Sequence, residues 1–351
     1  MVSGNRVQSV ESSGVAKDRP KGNPNETPLQ AQKSALSDNS HPPGQPGLVR
    51  LILFLGAGIL TFSFSPILVR FAPGTDAITL ASLRTILAVL FLFPFWVRSR
   101  VPLSELKTRG VRPSWLILAG VCLGIHFSLW IASVQFTSVA SASVLVTIHP
   151  VILIVFERYL FHRRFSGWVW AGVLTALMGS VLLGLTDHTS NETFPNALLG
   201  NSFAVGAALI FAVYFLLGRK ARQQTSWIDY VFIVYATAAL VTTVVTLFLS
   251  GGIPDLSRQA LLVGILLAVG PTILGHGSMN FAVKYVSPTL LSTLILSEAV
   301  FAAGIAFALF DEIPSGGSFL AMVIIFAGIT LTWSGRGKQT DRAKRLGNDR
   351  E

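Results

Sequence analysis

Five ionisable residues stand inside long apolar stretches of this sequence: Arg84, His126, His149, His276 and Glu298. A charge near the centre of a lipid bilayer costs about 2.5 to 3.5 kcal/mol on insertion scales, so each of them needs a reason. Glu298 is flanked by Leu296, Val300 and Phe301. A carboxyl in apolar surroundings can exchange a proton, which makes Glu298 the proton-carrier candidate. The alternative is a hydrogen-bonded carboxyl that fixes its helix to a neighbour.

The histidines and the arginine each admit two roles. Single histidines inside apolar helices are commonly packing hydrogen-bonders, but three at related depths favour a shared cavity. Arg84 is either the counter-charge of Glu298 or of an anionic solute, or it snorkels outward to the membrane surface, and we expect the second. Further candidates for aromatic or amide contacts with a solute are Trp130, Tyr214, Tyr235 and Asn280.

Metal and cofactor chemistry find no support in the sequence. The His, Asp and Glu residues lack the close spacing of metal ligands. The single cysteine, Cys122, can form no internal disulfide. A Gly-x-x-x-x-Gly-Lys-Ser/Thr loop for nucleotide phosphates does not occur. We therefore expect no metal site and no cofactor.

The composition indicates that lipid surrounds these residues. Hydrophobic residues make up 51% of the 351 residues and charged residues 13%, about half the charge of a soluble domain. The net charge is +10, but the basic residues gather in short connections and in the tails. That distribution predicts membrane orientation and argues against nucleic-acid binding.

Ten apolar segments, each near the length of about 20 residues that spans a bilayer, follow one another along the chain. Because lipid offers no partner to backbone groups, and because the runs are continuous rather than alternating, we predict an all-α polytopic membrane protein. The segments, numbered 1 to 10, are Val49–Arg70, Ala77–Val97, Ser114–Phe136, Val139–Phe161, Ser166–Leu185, Ala197–Leu217, Trp227–Leu249, Ala260–Val283, Pro288–Phe310 and Ser318–Trp333.

The connections between the segments alternate in charge. Basic connections contain Arg98 to Arg112, Arg163 with Arg164, Arg219 with Lys220, and Lys284. Acidic residues mark the others: Asp187 with Glu192, Asp255 together with Arg258, and Asp311 with Glu312. Since cytoplasmic loops carry excess Lys and Arg, both termini are predicted to be cytoplasmic. The protein itself is predicted to lie in the inner membrane of the cell. Residues 1–47 are polar and predict a disordered cytoplasmic tail, and residues 336–351 predict a basic one.

An internal repeat predicts the architecture. A shift of 149 positions places residues 136–185 on residues 285–334 without a gap, so that His149 falls on Glu298. The charges reverse, because His162-Arg163-Arg164 falls on Asp311-Glu312-Ile313. We predict two inverted five-helix repeats, residues 48–186 and 187–335.

Several small or imide residues predict local features of the helices. Pro150 in segment 4 and Gly270-Pro271 in segment 8 predict breaks or kinks. Gly120 and Gly124 in segment 3 predict a close-packing seam. Glu157 and Arg158, beside the basic end of segment 4, predict interfacial anchoring.

At this point the sequence resembles a known family. Ser138–Pro150 resembles the helix-4 motif of the EamA-type drug/metabolite transporters, and Tyr285–Ser292 with Leu296–Ala302 repeats it. Phe310–Ser315 and Leu83–Ala88 resemble its acidic helix-9 end and its helix-2 arginine segment. Arg163 stands where the family has an acid, and Ala299 where it has proline. The resemblance implies a substrate cavity between the repeats and alternating access.

These observations predict a secondary transporter, an exporter of amino acids or similar small metabolites. An intramembrane His/Glu acid–base enzyme and a non-transporting receptor or scaffold remain the alternatives. The expected partners are a small-molecule substrate and the lipid bilayer. Substrate identity, coupling ion and oligomeric state, a homodimer included, stay open.

The charge pattern makes the topology testable. Reporter fusions after Arg109, Lys220 and the C-terminus should report cytoplasm, and fusions after Asp187 and Asp311 the opposite side. A cytoplasmic signal at Asp187 would contradict the orientation and the antiparallel repeat with it.

Overall fold

The computed structural model describes residues 47–72, 74–102, 110, 112–137, 139–186, 196–252, 254, 256–310 and 313–348. Several predictions lie outside these residues. They are the tail from 1 to 46 and the loop charges at Lys107, Arg109, Asp187, Glu192, Asp255, Asp311 and Glu312.

Every regular element in the described part of the chain is a helix, as predicted. The first half contains α1 Leu48–Ser63, α2 Ser65–Arg70, α3 Ala77–Ser99, α4 Pro113–Phe136, α5 Val139–Val146, α6 His149–Leu160 and α7 Gly167–Thr186. The second half contains α8 Ala197–Arg222, α9 Trp227–Ser250, α10 Arg258–Leu267, the π-helix Ala268–His276, α11 Gly277–Ala282, α12 Pro288–Ile295, α13 Glu298–Phe310 and α14 Gly316–Asn348. The last helix thus extends beyond the predicted end of segment 10 at Trp333.

The helices suit a membrane rather than water. Within the described ranges, nine stretches are long and apolar enough to cross a bilayer. Segment 4 is not among them, so the count of ten stays a prediction. Large apolar side chains such as Phe248 and Leu198, which are 85% and 82% exposed, face outward, as lipid contact requires.

Segments 4 and 9 break at equivalent positions. The first half-helices, α5 and α12, begin at residues 139 and 288, and the second, α6 and α13, at His149 and Glu298. Both pairs are related by the shift of 149 that the sequence repeat predicts. At each break a hydroxyl bonds back one turn, Thr147 to the carbonyl of Val144 and Ser297 to that of Leu294, which supports a local turn. Segment 9 therefore breaks without the proline that segment 4 has at Pro150.

Glycines bring α7 and α14 together around a pseudo-twofold axis. A Cβ on Gly328 would overlap the backbone nitrogen of Ala176, and one on Gly179 would lie 2.8 Å from the nitrogen of Ile325. The shift of 149 exchanges these two contacts, since it places Ala176 on Ile325 and Gly179 on Gly328. A contact that maps onto itself when the halves are exchanged is the signature of a twofold relation, which supports the inverted repeat.

A second close seam joins α4 to α9. A Cβ on Gly120 would lie 2.6 Å from the carbonyl oxygen of Val234, and one on Gly124 would lie 2.7 Å from the Cβ of Val241. The predicted seam of segment 3 is therefore confirmed, and Gly residues allow this approach because they carry no side chain.

The twofold contact predicts a sharp difference between two glycine substitutions. Gly328→Ala should lower the thermal midpoint of the purified protein, because its methyl group would overlap the backbone of α7, and such overpacking costs about 1 to 3 kcal/mol. Gly304→Ala is the matched control, since nothing lies within 4 Å of its Cβ position. Equal midpoints for the two variants would contradict the packing described here.

Candidate functional site

The ring of Phe211, in α8, gathers three of the predicted residues. Its centroid lies 5.0 Å from that of His126, 4.9 Å from that of His149 and 5.8 Å from that of Tyr214. His126 comes from α4 and His149 from the start of α6. The structure thus brings together side chains from segments 3, 4 and 6, as expected for residues that share one space.

A second ring, that of Phe127, contacts Arg84 and His276. The guanidinium carbon of Arg84 lies 4.6 Å from its centroid, within the range of a cation–π interaction. On the same ring, His276 packs edge-on with a centroid distance of 5.2 Å. His276 also meets Phe62 of α1 at 4.6 Å.

A chain of hydrogen bonds links the remaining polar members. The hydroxyl of Tyr214 donates to Oδ1 of Asn280 at 2.7 Å, and Nδ2 of Asn280 lies 3.5 Å from the hydroxyl of Tyr235. Tyr235 in turn donates to the carbonyl of Thr272 at 2.9 Å, and Nε of Arg84 donates to the Thr272 hydroxyl at 2.9 Å. The polar groups at this depth therefore form hydrogen bonds with one another instead of with water.

We call this set the central layer. It consists of Arg84, His126, Phe127, His149, Phe211, Tyr214, Tyr235, Thr272, His276 and Asn280.

The π-helix positions the members that come from segment 8. Pro271 cannot donate a backbone hydrogen bond, and the hydroxyl of Thr272 donates to the carbonyl of Leu267, five residues earlier, at 2.9 Å. The wider turn places Thr272 beside Arg84 and ends at His276. The predicted irregularity at Gly270-Pro271 is confirmed, and such insertions are frequent at functional sites.

The three histidines of the layer differ in their hydrogen bonds: two bond a backbone carbonyl, and two have a buried ring nitrogen without a partner among the described residues. Nδ1 of His126 donates to the carbonyl of Ala207, and Nδ1 of His149 donates to the carbonyl of Val146, both at 2.9 Å. Nε2 of His149 and Nδ1 of His276 are buried and have no hydrogen-bond partner in the described part of the chain. Buried nitrogens of this kind are normally satisfied, so each of these two has an unused hydrogen-bonding position.

Among the described residues, Glu298 takes part in none of the side-chain hydrogen bonds or ring contacts that define the layer. It begins α13, as its repeat partner His149 begins α6, and its side chain is half-buried. Arg84 is close enough to act on it electrostatically.

Three expectations need correction or restriction. Arg84 does not snorkel, because it is only 5% exposed and its guanidinium is held by Thr272 and the Phe127 ring. Glu157 is not an exposed interfacial anchor, since it is 1% exposed and accepts hydrogen bonds from the backbone nitrogen of Thr289 and from Arg163. Trp130 packs in a separate apolar cluster with Ile78 and Ile131.

The model of the EamA-like transporter family matches the chain twice, at residues 49–185 and 198–334. The chain belongs to the EamA-like transporter family. It is accordingly a multi-pass membrane transporter.

Individual relatives of this EamA-like chain are distant. It is 24% identical to solute carrier family 35 member G1 of Mus musculus over 82% of the chain and 79% of that protein. It is 24% identical to the pseudopaline exporter CntI of Pseudomonas aeruginosa over 79% of the chain and 94% of that protein. It is 21% identical to the uncharacterized transporter YdfC of Bacillus subtilis over 72% of the chain and 81% of that protein.

A solved crystal structure supports the fold. It is 18% identical, covers 81% of this chain and 97% of its own, and superposes with a TM-score of 0.67. At that identity the similarity concerns the fold alone.

Both family matches contribute to the central layer. The first contributes Arg84, His126, Phe127 and His149, and the second contributes Phe211, Tyr214, Tyr235, Thr272, His276 and Asn280. Sequence reasoning missed Phe127, Phe211 and Thr272. Nothing distinguishes these two phenylalanines among the 24 in the chain, whereas Thr272 directly follows the predicted break at Pro271.

Proposed function

We propose that this protein is a secondary transporter that exports amino acids or similar small metabolites by alternating access around the central layer. It would lie in the inner membrane with both termini in the cytoplasm. The observation that carries the proposal is the layer itself, a polar group of side chains from both repeats at mid-membrane depth. In repeat transporters the substrate binds at such an interface.

The names of the relatives favour transport over the two alternatives. One relative is named as an exporter and another as a solute carrier. An acid–base enzyme would need a histidine and a carboxyl in hydrogen-bond reach. Here Nδ1 of His126 and of His149 is bonded to a backbone carbonyl instead.

Unequal packing of the two broken segments supports alternating access. The cytoplasmic halves by our orientation, α6 and α12, pack together, and Glu157 joins them through Thr289 at 2.9 Å. The shift of 149 predicts the equivalent pair α5 and α13 on the outer side. In the described ranges no packing of comparable extent joins that pair. Such an inequality between two equivalent contacts is expected of a two-state carrier whose cytoplasmic side is the more tightly packed one.

Glu298 is our candidate for proton coupling. It is the acid at the broken position of segment 9, it is half-buried, and it lies within the electrostatic reach of Arg84. A carboxyl that approaches or leaves a cation as α13 moves would bind or release a proton in step with that movement.

Metabolite export tests this proposal. Untargeted profiling of cells that lack and cells that overproduce the protein should show solutes that accumulate outside the cell only with the protein. Glu298→Gln should reduce that export by about tenfold or more, which corresponds to about 1.4 kcal/mol, while membrane insertion and thermal stability persist. Asp76→Asn is the matched control, because Asp76 is an exposed helix cap outside the layer.

Two outcomes would count against the proposal. An unchanged extracellular profile on overproduction would contradict export. Full export by Glu298→Gln would remove the proton-carrier role, and loss of folding in that variant would assign the carboxyl a structural role.

A further inference from the structure

Arg84 is a buried cation whose protein partners do not complete its hydrogen bonding. It is 5% exposed, and in the described part of the chain its one hydrogen bond runs from Nε to the Thr272 hydroxyl. The N–H groups on both Nη atoms therefore have no acceptor from the described residues. A cation that is nearly buried and incompletely paired is unfavourable, so an anionic group that accepted hydrogen bonds from the Nη atoms would stabilise this arrangement.

Glu298 does not supply that group in this structure. Arg84 and Glu298 influence one another electrostatically. Among the described residues, however, Arg84 and Glu298 do not form an ion pair within 4.0 Å, whereas Arg163 and Glu157 do. The guanidinium is thus held in place by Thr272 and the Phe127 ring. Its two Nη atoms, which we call the fork, remain available to another partner.

The surroundings of the fork fit a ligand. His276 shares the Phe127 ring with Arg84, and its buried Nδ1 has no partner in the described ranges. The buried Nε2 of His149 is open in the same way. The ring of Phe127 packs edge-on against His276, and the ring of Phe211 packs edge-on against His149.

We propose that Arg84 binds the carboxylate of the transported solute, and that His276 and His149 bond a second polar group of the same molecule. This inference rests on the proposed function and specifies the substrate class. A guanidinium and a carboxylate match in a planar, two-bond geometry. The layer holds one Lys or Arg side chain, Arg84, so a monoanionic carboxylate suits it better than a phosphate dianion.

Benzoate and benzamide provide a matched pair of probes for Arg84. They have nearly the same shape and an aromatic ring suited to the layer, but only benzoate carries the charge. At saturating concentration benzoate should raise the thermal midpoint of the purified full-length protein by about 3 °C more than benzamide does. Arg84→Gln should abolish that difference, and Arg84→Lys should retain part of it.

Two controls separate this idea from loss of charge in general and from a purely structural role. Arg98→Gln removes an exposed cation from the same helix and should leave the benzoate effect intact. If instead Arg84 serves only as the counter-ion of Glu298, the double variant Arg84→Gln with Glu298→Gln should regain the export that Arg84→Gln alone loses.

Each result decides the inference separately from the proposed function. Equal stabilisation by the two probes, a benzoate effect that survives Arg84→Gln, or restored export in the double variant would overturn it. So would exported solutes that lack an anionic group, even though export itself would then be established. A benzoate effect that depends on Arg84, together with no exported solute, would support the site and contradict the transporter.

Discussion

The structure depends on one constraint, that lipid provides no hydrogen-bond partner to a polar group. Segments made almost wholly of apolar residues must therefore direct their few polar side chains toward each other. Arg84, Thr272, Tyr235, Asn280 and Tyr214 form such a chain across α3, α8, α9 and segment 8. Near this chain, buried nitrogens of His149 and His276 have no partner among the described residues, and Arg84 forms one hydrogen bond, to Thr272. The same constraint that stabilises the fold thus brings together the groups that we propose bind the solute.

In the proposed mechanism, the pseudo-twofold relation is the basis of the movement. Along α7 and α14 the halves approach so closely that Gly179 and Gly328 admit no side chain, which makes that contact a natural fixed point. Segments 4 and 9 are broken at equivalent residues and are packed unequally. A repeat whose halves can exchange conformations needs no additional device to present the layer to each side in turn.

The sequence predicted the repeat, the helical fold, the seam at Gly120 and Gly124 and the irregular segment 8, because apolar runs, charge reversal and backbone breakers are local signals. It could not predict that Arg84 is buried, since exposure depends on which neighbours face the residue. Glu157 was misinterpreted for the same reason, as its partner Thr289 is 132 positions away. Only the structure identifies Phe127 and Phe211 as members of the layer, because their rings contact Arg84 and the histidines.

The central claim, that the two halves open alternately around the layer, is tested most directly by locking each face and probing the layer. With Cys122 replaced, a His276→Cys reporter is combined with one of two cysteine pairs, at positions 157 and 289 or at their repeat equivalents 140 and 306. With the first pair cross-linked, a membrane-impermeant maleimide should label the reporter from the outer face alone. With the second pair cross-linked, labelling should come from the cytoplasmic face alone. Labelling from both faces under either lock would contradict the account.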